Sequence, residues 1–148
     1  NRERYGPSLS DLSAVFHTMK FAWPHLLKAA AERGHAAVVN VSSVAARLGS
    51  PGEYVDYAAS KGALDTFTLG LSKEVAGEGI RVNAVRPGLI ETDIHASGGL
   101  PDRVRDLQHL VPMQRGGTAD EVAQAIVWLL SDAASYTTMS LLDVSGGR

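Results

Sequence analysis

Three residues of this chain have the side chains to move a proton to or from a bound oxygen: Ser43, Tyr57 and Lys61. Tyr57 and Lys61 stand at i and i+4, a spacing that puts both on one helix face and brings an ammonium to a phenol. A phenol ordinarily loses its proton at about pH 10, and a neighbouring cation favours the phenolate, which makes such a pair usable as general acid or base near neutrality. Ser43, at the end of a strand beside this helix, can hydrogen-bond the same substrate oxygen. The trio suits interconversion of an alcohol and a carbonyl, with a nicotinamide as hydride partner. The Tyr-x-x-x-Lys spacing is weak evidence by itself. Four tyrosines and four lysines in 148 residues produce one by chance roughly one time in nine.

The elements around these residues read clearly. Leu9, Leu12, Val15, Phe16, Met19, Trp23, Leu26 and Leu27 recur at three and four, predicting a helix from Ser8 to about Glu32. Pro24 should kink it, and Gly34 should end it. The β-branched run Ala36–Val41, between Gly34 and Ser42-Ser43, predicts a buried strand. A turn-rich stretch at Leu48–Gly52 leads to a second helix from about Val55 to Ala76, ended by Gly77 and Gly79. Ile80–Val85 predicts a second strand, stopped by Pro87-Gly88. Residues 89–118 read as irregular, with one short helix at Asp102–Leu110. Thr118 caps a third helix to about Leu130, with Asp120 and Glu121 in the first turn, and Ser140–Val144 predicts a last strand. The α-β-α-β-α-β order predicts a parallel sheet flanked by helices, with no internal domain boundary.

Composition removes other classes. The chain is 45% hydrophobic and 20% charged with net charge −2, too apolar and too balanced for a disordered tail. It has no cysteine, hence no disulfide, thiolate site or cysteine nucleophile. Interspersed charges and few aromatics predict no nucleic-acid partner and no membrane partner. No apolar run approaches the roughly 20 residues that span a bilayer, so a cytoplasmic location is expected. The five histidines show no ligand spacing, so no metal is expected, and there is no Gly-x-Ser-x-Gly elbow for a hydrolase. The doublets Gly98-Gly99, Gly116-Gly117 and Gly146-Gly147 lack a strand–turn–helix context and read as loop flexibility.

The trio has company. Asn40-Val41-Ser42-Ser43, Tyr57-Ala58-Ala59-Ser60-Lys61-Gly62-Ala63, Gly79 to Gly88 and Asp143-Val144-Ser145-Gly146-Gly147 occur in an order and at a spacing that resemble the single-domain branch of the short-chain dehydrogenase/reductase family. The resemblance covers the chain from Ser8 onward. It implies a Rossmann-like doubly wound parallel sheet, with residues 1–148 the C-terminal catalytic part of one domain. It implies an NAD- or NADP-dependent oxidoreductase acting on a secondary alcohol or ketone of sugar, polyol or 3-oxoacyl type. Ser43 would orient and polarise the substrate carbonyl, Tyr57 would exchange the proton, and Lys61 would assist Tyr57 and bind the nicotinamide ribose. Pro87, Gly88, Ile90 and Thr92 match the segment that meets the nicotinamide carboxamide. The family covers its small-molecule substrate with the loop matching Glu91–Met113, where His95 is the candidate contact. The two long helices match those that assemble subunits, implying a homotetramer, or failing that a dimer.

The chain departs from the family's pattern in places. Counting back from Pro24 without gaps puts Asp11 where the family often has the asparagine of a catalytic tetrad, and a carboxylate there would oppose Lys61; a plain helix-start residue is the other reading. Met139 stands where the family usually has glycine, and a local packing change is expected. The Gly-rich turn that seats a pyrophosphate, and the residue that selects NAD or NADP, are not among these residues. The resemblance therefore implies roughly 100 further residues upstream, the first half of the sheet. The alternative is a truncated or degenerate family member that binds or scaffolds without catalysis.

Overall fold

The computed structural model describes residues 6–92 and 102–148. Its elements are α1 (Gly6–Arg33), β1 (Ala36–Val41), α2 (Ala45–Leu48), α3 (Val55–Val75), β2 (Ile80–Pro87), β3 (Ile90–Glu91), α4 (Arg103–Leu107), β4 (Gly117–Thr118), α5 (Ala119–Leu130) and β5 (Leu141–Val144). The three longer strands form one parallel sheet in the order β1-β2-β5, with Ala36 opposite Ile80, Val41 opposite Val85 and Ala84 opposite Leu141. Parallel neighbours require a crossover, and helices supply both: α3 between β1 and β2, α5 between β2 and β5. No helix among the described residues is long and apolar enough to cross a membrane.

β2 is the centre of the sheet, and its chemistry shows it. Ile80, Val82, Ala84 and Val85 are all at most 1% exposed, each of the larger three contributing roughly 1.5–3 kcal/mol by burial. Trp23, Leu26 and Leu27 of α1 and Leu71 of α3 pack against the Ile80–Val82 end. Arg81 and Asn83 of β2 are buried too, and each is matched. Arg81 donates to the carbonyls of Leu129 (2.7 Å), Ser131 (3.1 Å) and Thr137 (3.4 Å), a cation set at the C-terminal end of α5 where the helix dipole favours it. Asn83 donates to the Thr137 carbonyl and accepts from the Ser140 N–H, clamping the turn into β5. The start of α5 is a capping box: Thr118 Oγ1 accepts from the Glu121 N–H, and Glu121 Oε2 accepts from the Thr118 N–H.

The structure departs from the sequence expectations in five places. A four-residue helix, α2, leads into the turn-rich stretch and takes in its first residue, Leu48, and β2 continues through Arg86 and Pro87. Proline is tolerated there because only its carbonyl is used, accepting from the Val44 N–H at 3.1 Å. Within 89–118 a two-residue parallel pair, β3 with β4, joins Ile90 to Gly117. The Gly116-Gly117 and Gly146-Gly147 doublets are tightly packed: a Cβ on Gly116 would come within 2.5 Å of Val104 Cγ1, one on Gly117 within 2.8 Å of Ile90 Cδ1, and one on Gly146 within 2.7 Å of Val111 Cγ1. Finally, Met139 has φ +64°, so what distinguishes it from glycine is backbone strain. Gly98-Gly99 lie outside the described residues.

Candidate active site

The candidate site is built where β1 ends. The Ser42 N–H still pairs with the Val85 carbonyl at 2.8 Å, so Ser42 carries the sheet one residue further and buries its side chain. Its hydroxyl donates to the Lys61 carbonyl at 3.3 Å. Ser43 is the first residue free of the ladder and is half-buried. Its Oγ accepts from the Ala45 N–H at 3.1 Å, a local bond that turns the chain into α2. That bond uses a lone pair, so the Ser43 hydroxyl proton can still be donated.

α3 supplies the other two groups. Its inner face, Ala58, Leu64, Thr68, Ser72 and Val75, is buried, and those small residues let the helix lie close to the sheet. Three bonds tie it to β1 and the residue after it, two at Lys61 and one about two turns further on: Ser42 donates to the Lys61 carbonyl, Lys61 Nζ to the Val41 carbonyl at 2.9 Å, and Asn40 Nδ2 to Thr68 Oγ1 at 2.9 Å. The Lys61 ammonium lies 5.5 Å from the centre of the Tyr57 ring, within cation–π range. Ser60 is buried and bonds the Tyr57 carbonyl at 2.8 Å, bracing the turn between them. The Val41 carbonyl is a site group that sequence reading missed. Its signal was available: it is the last carbonyl of a strand that stops beside a helix bearing a lysine.

Pro87 and Gly88 sit across the carboxyl edge of the same sheet. The Pro87 carbonyl accepts from Val44, next to Ser43, and the Gly88 N–H donates to the Val144 carbonyl at 3.0 Å. Ile90 is buried, its side chain against Gly117, whereas Thr92 is exposed in the bend after β3. The crevice outside the carboxyl ends of parallel strands is where open α/β sheets bind ligands. Asp11 falls in α1, but its side chain, like the whole of His95, lies outside what the structure describes. A cavity of about 730 Å³ lined by Gly34, Ile80, Arg81 and Tyr136 lies at the opposite, amino end of the strands, away from the trio. An ammonium beside a phenol ring, held on a carbonyl two residues before a serine hydroxyl, suits a polarised substrate oxygen and the hydroxyls of a ribose.

The family model for enoyl-(acyl carrier protein) reductase matches residues 10–148. The chain is 71% identical over 112 residues to the uncharacterized oxidoreductase YgfF of Escherichia coli, covering 76% of this chain and 45% of that protein. It is 39% identical over 138 residues to the 3-oxoacyl-[acyl-carrier-protein] reductase FabG of Thermotoga maritima, covering 93% and 53%. Among solved structures, the NADH-dependent reductase A1-R′ responsible for alginate metabolism superposes with a TM-score of 0.77 at 37% identity, covering 90% of this chain and 50% of that one. The chain thus spans about half the length of the curated relatives it matches. Its architecture is the Rossmann-like α/β arrangement, and the chain belongs to the short-chain dehydrogenase/reductase family.

Proposed function

We propose that this chain carries the proton-transfer part of an NAD- or NADP-dependent oxidoreductase that interconverts a secondary alcohol and its ketone, of the sugar, polyol or 3-oxoacyl type. The observation that carries this reading is the Lys61 ammonium, held on the Val41 carbonyl two residues before Ser43 and 5.5 Å from the Tyr57 ring. Ser43 donates its hydroxyl proton to the substrate oxygen and holds it against Tyr57. In the reducing direction the Tyr57 phenol gives that oxygen a proton, and the nearby ammonium stabilises the negative charge left on the ring oxygen. In the oxidising direction Tyr57 takes the proton back. A bound nicotinamide supplies or accepts the hydride. Lys61 would hold its ribose, with Pro87, Gly88, Ile90 and Thr92 lining the carboxamide. The assembly we propose is a cytoplasmic homotetramer, supported by the exposed Phe16 and Phe21 on α1.

Tyr57→Phe tests the reading in the full-length protein. Removing one oxygen should abolish NADH- or NADPH-linked turnover of a ketone while nicotinamide binding, read by fluorescence, stays within about twofold. Turnover that survives the substitution rules the assignment out.

A further inference from the structure

One buried ion pair lies immediately behind this site and plays no part in the chemistry described so far. Asp65 is one helical turn beyond Lys61 on α3 and only 6% exposed. Arg86 precedes Pro87 on β2. Two nitrogens of Arg86 converge on the same oxygen of Asp65: Nε at 2.9 Å and Nη2 at 2.8 Å from Oδ2. The third, Nη1, faces Asp143 Oδ1 of β5 at 3.6 Å, and Asp143 Oδ2 meets Arg47 Nη2 of α2 at 3.2 Å. Charges of alternating sign thus run from α3 through β2 and β5 to α2.

We propose that Asp65 and Arg86 are positioning residues, which hold α3 on the sheet at the height that sets Tyr57 and Lys61; the proposal rests on the functional reading above. The arrangement is poor as a stability device. Asp65 Oδ1 is buried and has no hydrogen-bond partner among the described residues, a cost that a well-packed apolar pair would avoid. What the pair does supply is direction. Two bonds to one oxygen fix the distance and the rotation of α3 relative to β2, next to the residue whose carbonyl is joined to Val44. The same helix must deliver Lys61 Nζ to Val41 and the Lys61 carbonyl to Ser42, and a slide of about 1 Å would break bonds of 2.9 and 3.3 Å. Misplacement on that scale is worth up to about a hundredfold in rate.

The test uses the full-length protein, with NADPH and NADH oxidation driven by ethyl acetoacetate, a small β-keto ester, as the probe. Asp65→Asn, Arg86→Met and the double variant Asp65→Leu/Arg86→Met are compared. The singles leave a buried partner uncompensated and should lose stability, whereas the double variant should recover the thermal midpoint. Positioning predicts that all three lose about tenfold or more in kcat, with the KM for the nicotinamide within about twofold, and that the double variant stays slow although it is stable. Arg86→Lys, which keeps one charged bond to Asp65, should regain part of kcat. If kcat returns with stability in the double variant, the pair is structural only and the proposal fails. If the unsubstituted protein binds no nicotinamide by fluorescence, or Tyr57→Phe is as active as the parent, the functional reading falls first.

Discussion

Gly88→Ala adds a single methyl group at the junction of β2 and β5, and the structure says what it meets. A Cβ on Gly88 lies 2.8 Å from Ser145 Cα, 2.9 Å from Ser145 Cβ and 3.1 Å from the Ser145 carbonyl oxygen, against 3.4 Å for the onset of ordinary contact. Two of these atoms are backbone and the third is fixed to it, so no rotamer change relieves the clash. The strands must part, while the Gly88–Val144 hydrogen bond at 3.0 Å resists. Overpacking of this kind costs about 1–3 kcal/mol. At about 2–4 °C per kcal/mol for a domain of this size, the thermal midpoint should fall by about 2–12 °C. Because Pro87 is bonded to Val44, the shift should also reach Ser43 and weaken nicotinamide binding. Thermal unfolding followed by circular dichroism, with an NADH titration of the same full-length protein, reads both. A midpoint unchanged within about 1 °C would refute the claim that Gly88 is required by close strand approach.

Two further substitutions probe the frame around the site. Met139→Gly should raise the midpoint, by at most about 6 °C: a left-handed φ costs a side chain about 1–2 kcal/mol, and glycine's freedom in the unfolded chain returns about 0.5–1 of it. A fall in the midpoint would show that the Met139 side chain outweighs its strain. Glu121 is held down to about 2 from 4.5, first by its hydrogen bond from Arg115 and then by the Thr118 N–H. Its folded value lies below its unfolded one, so the stability it contributes is complete above pH 4.5 and drains away as pH falls towards 2. Glu121→Gln should remove that part of the acid-side slope in unfolding midpoints measured against pH, and superimposable slopes would count against it.

Much of this architecture could be read without coordinates, for local reasons. Ala36–Val41 is a β-branched run closed by a glycine and two serines, and the strand has those bounds. α3 and α5 likewise begin within a residue of where spacing and Thr118 put them. The nearness of Lys61 to Tyr57 was legible because the two lie one helical turn apart on α3. Elements too short to carry a period, α2 and the β3–β4 pair, left no such trace. Neither did the partners of Arg86: Asp65 is 21 residues away and Asp143 faces it only through the β2–β5 register. The meaning of Met139 was also hidden, because a positive φ belongs to the backbone and has no mark in hydrophobic pattern.

The parallel pairing of the sheet has a consequence for how the site comes into being. Ala36 meets Ile80 and Ala84 meets Leu141, so each pairing closes a span of roughly 40 to 60 residues, at an entropic cost that local helix formation does not bear. Tyr57 and Lys61 can share a helix as soon as α3 coils, yet the Lys61 ammonium meets the Val41 carbonyl only once α3 has docked on β1, and Pro87 meets Val44 only once β2 lies beside β1. The candidate site is therefore a non-local object, which no short excised peptide reproduces because its residues meet only as strand, helix and neighbouring strand come together.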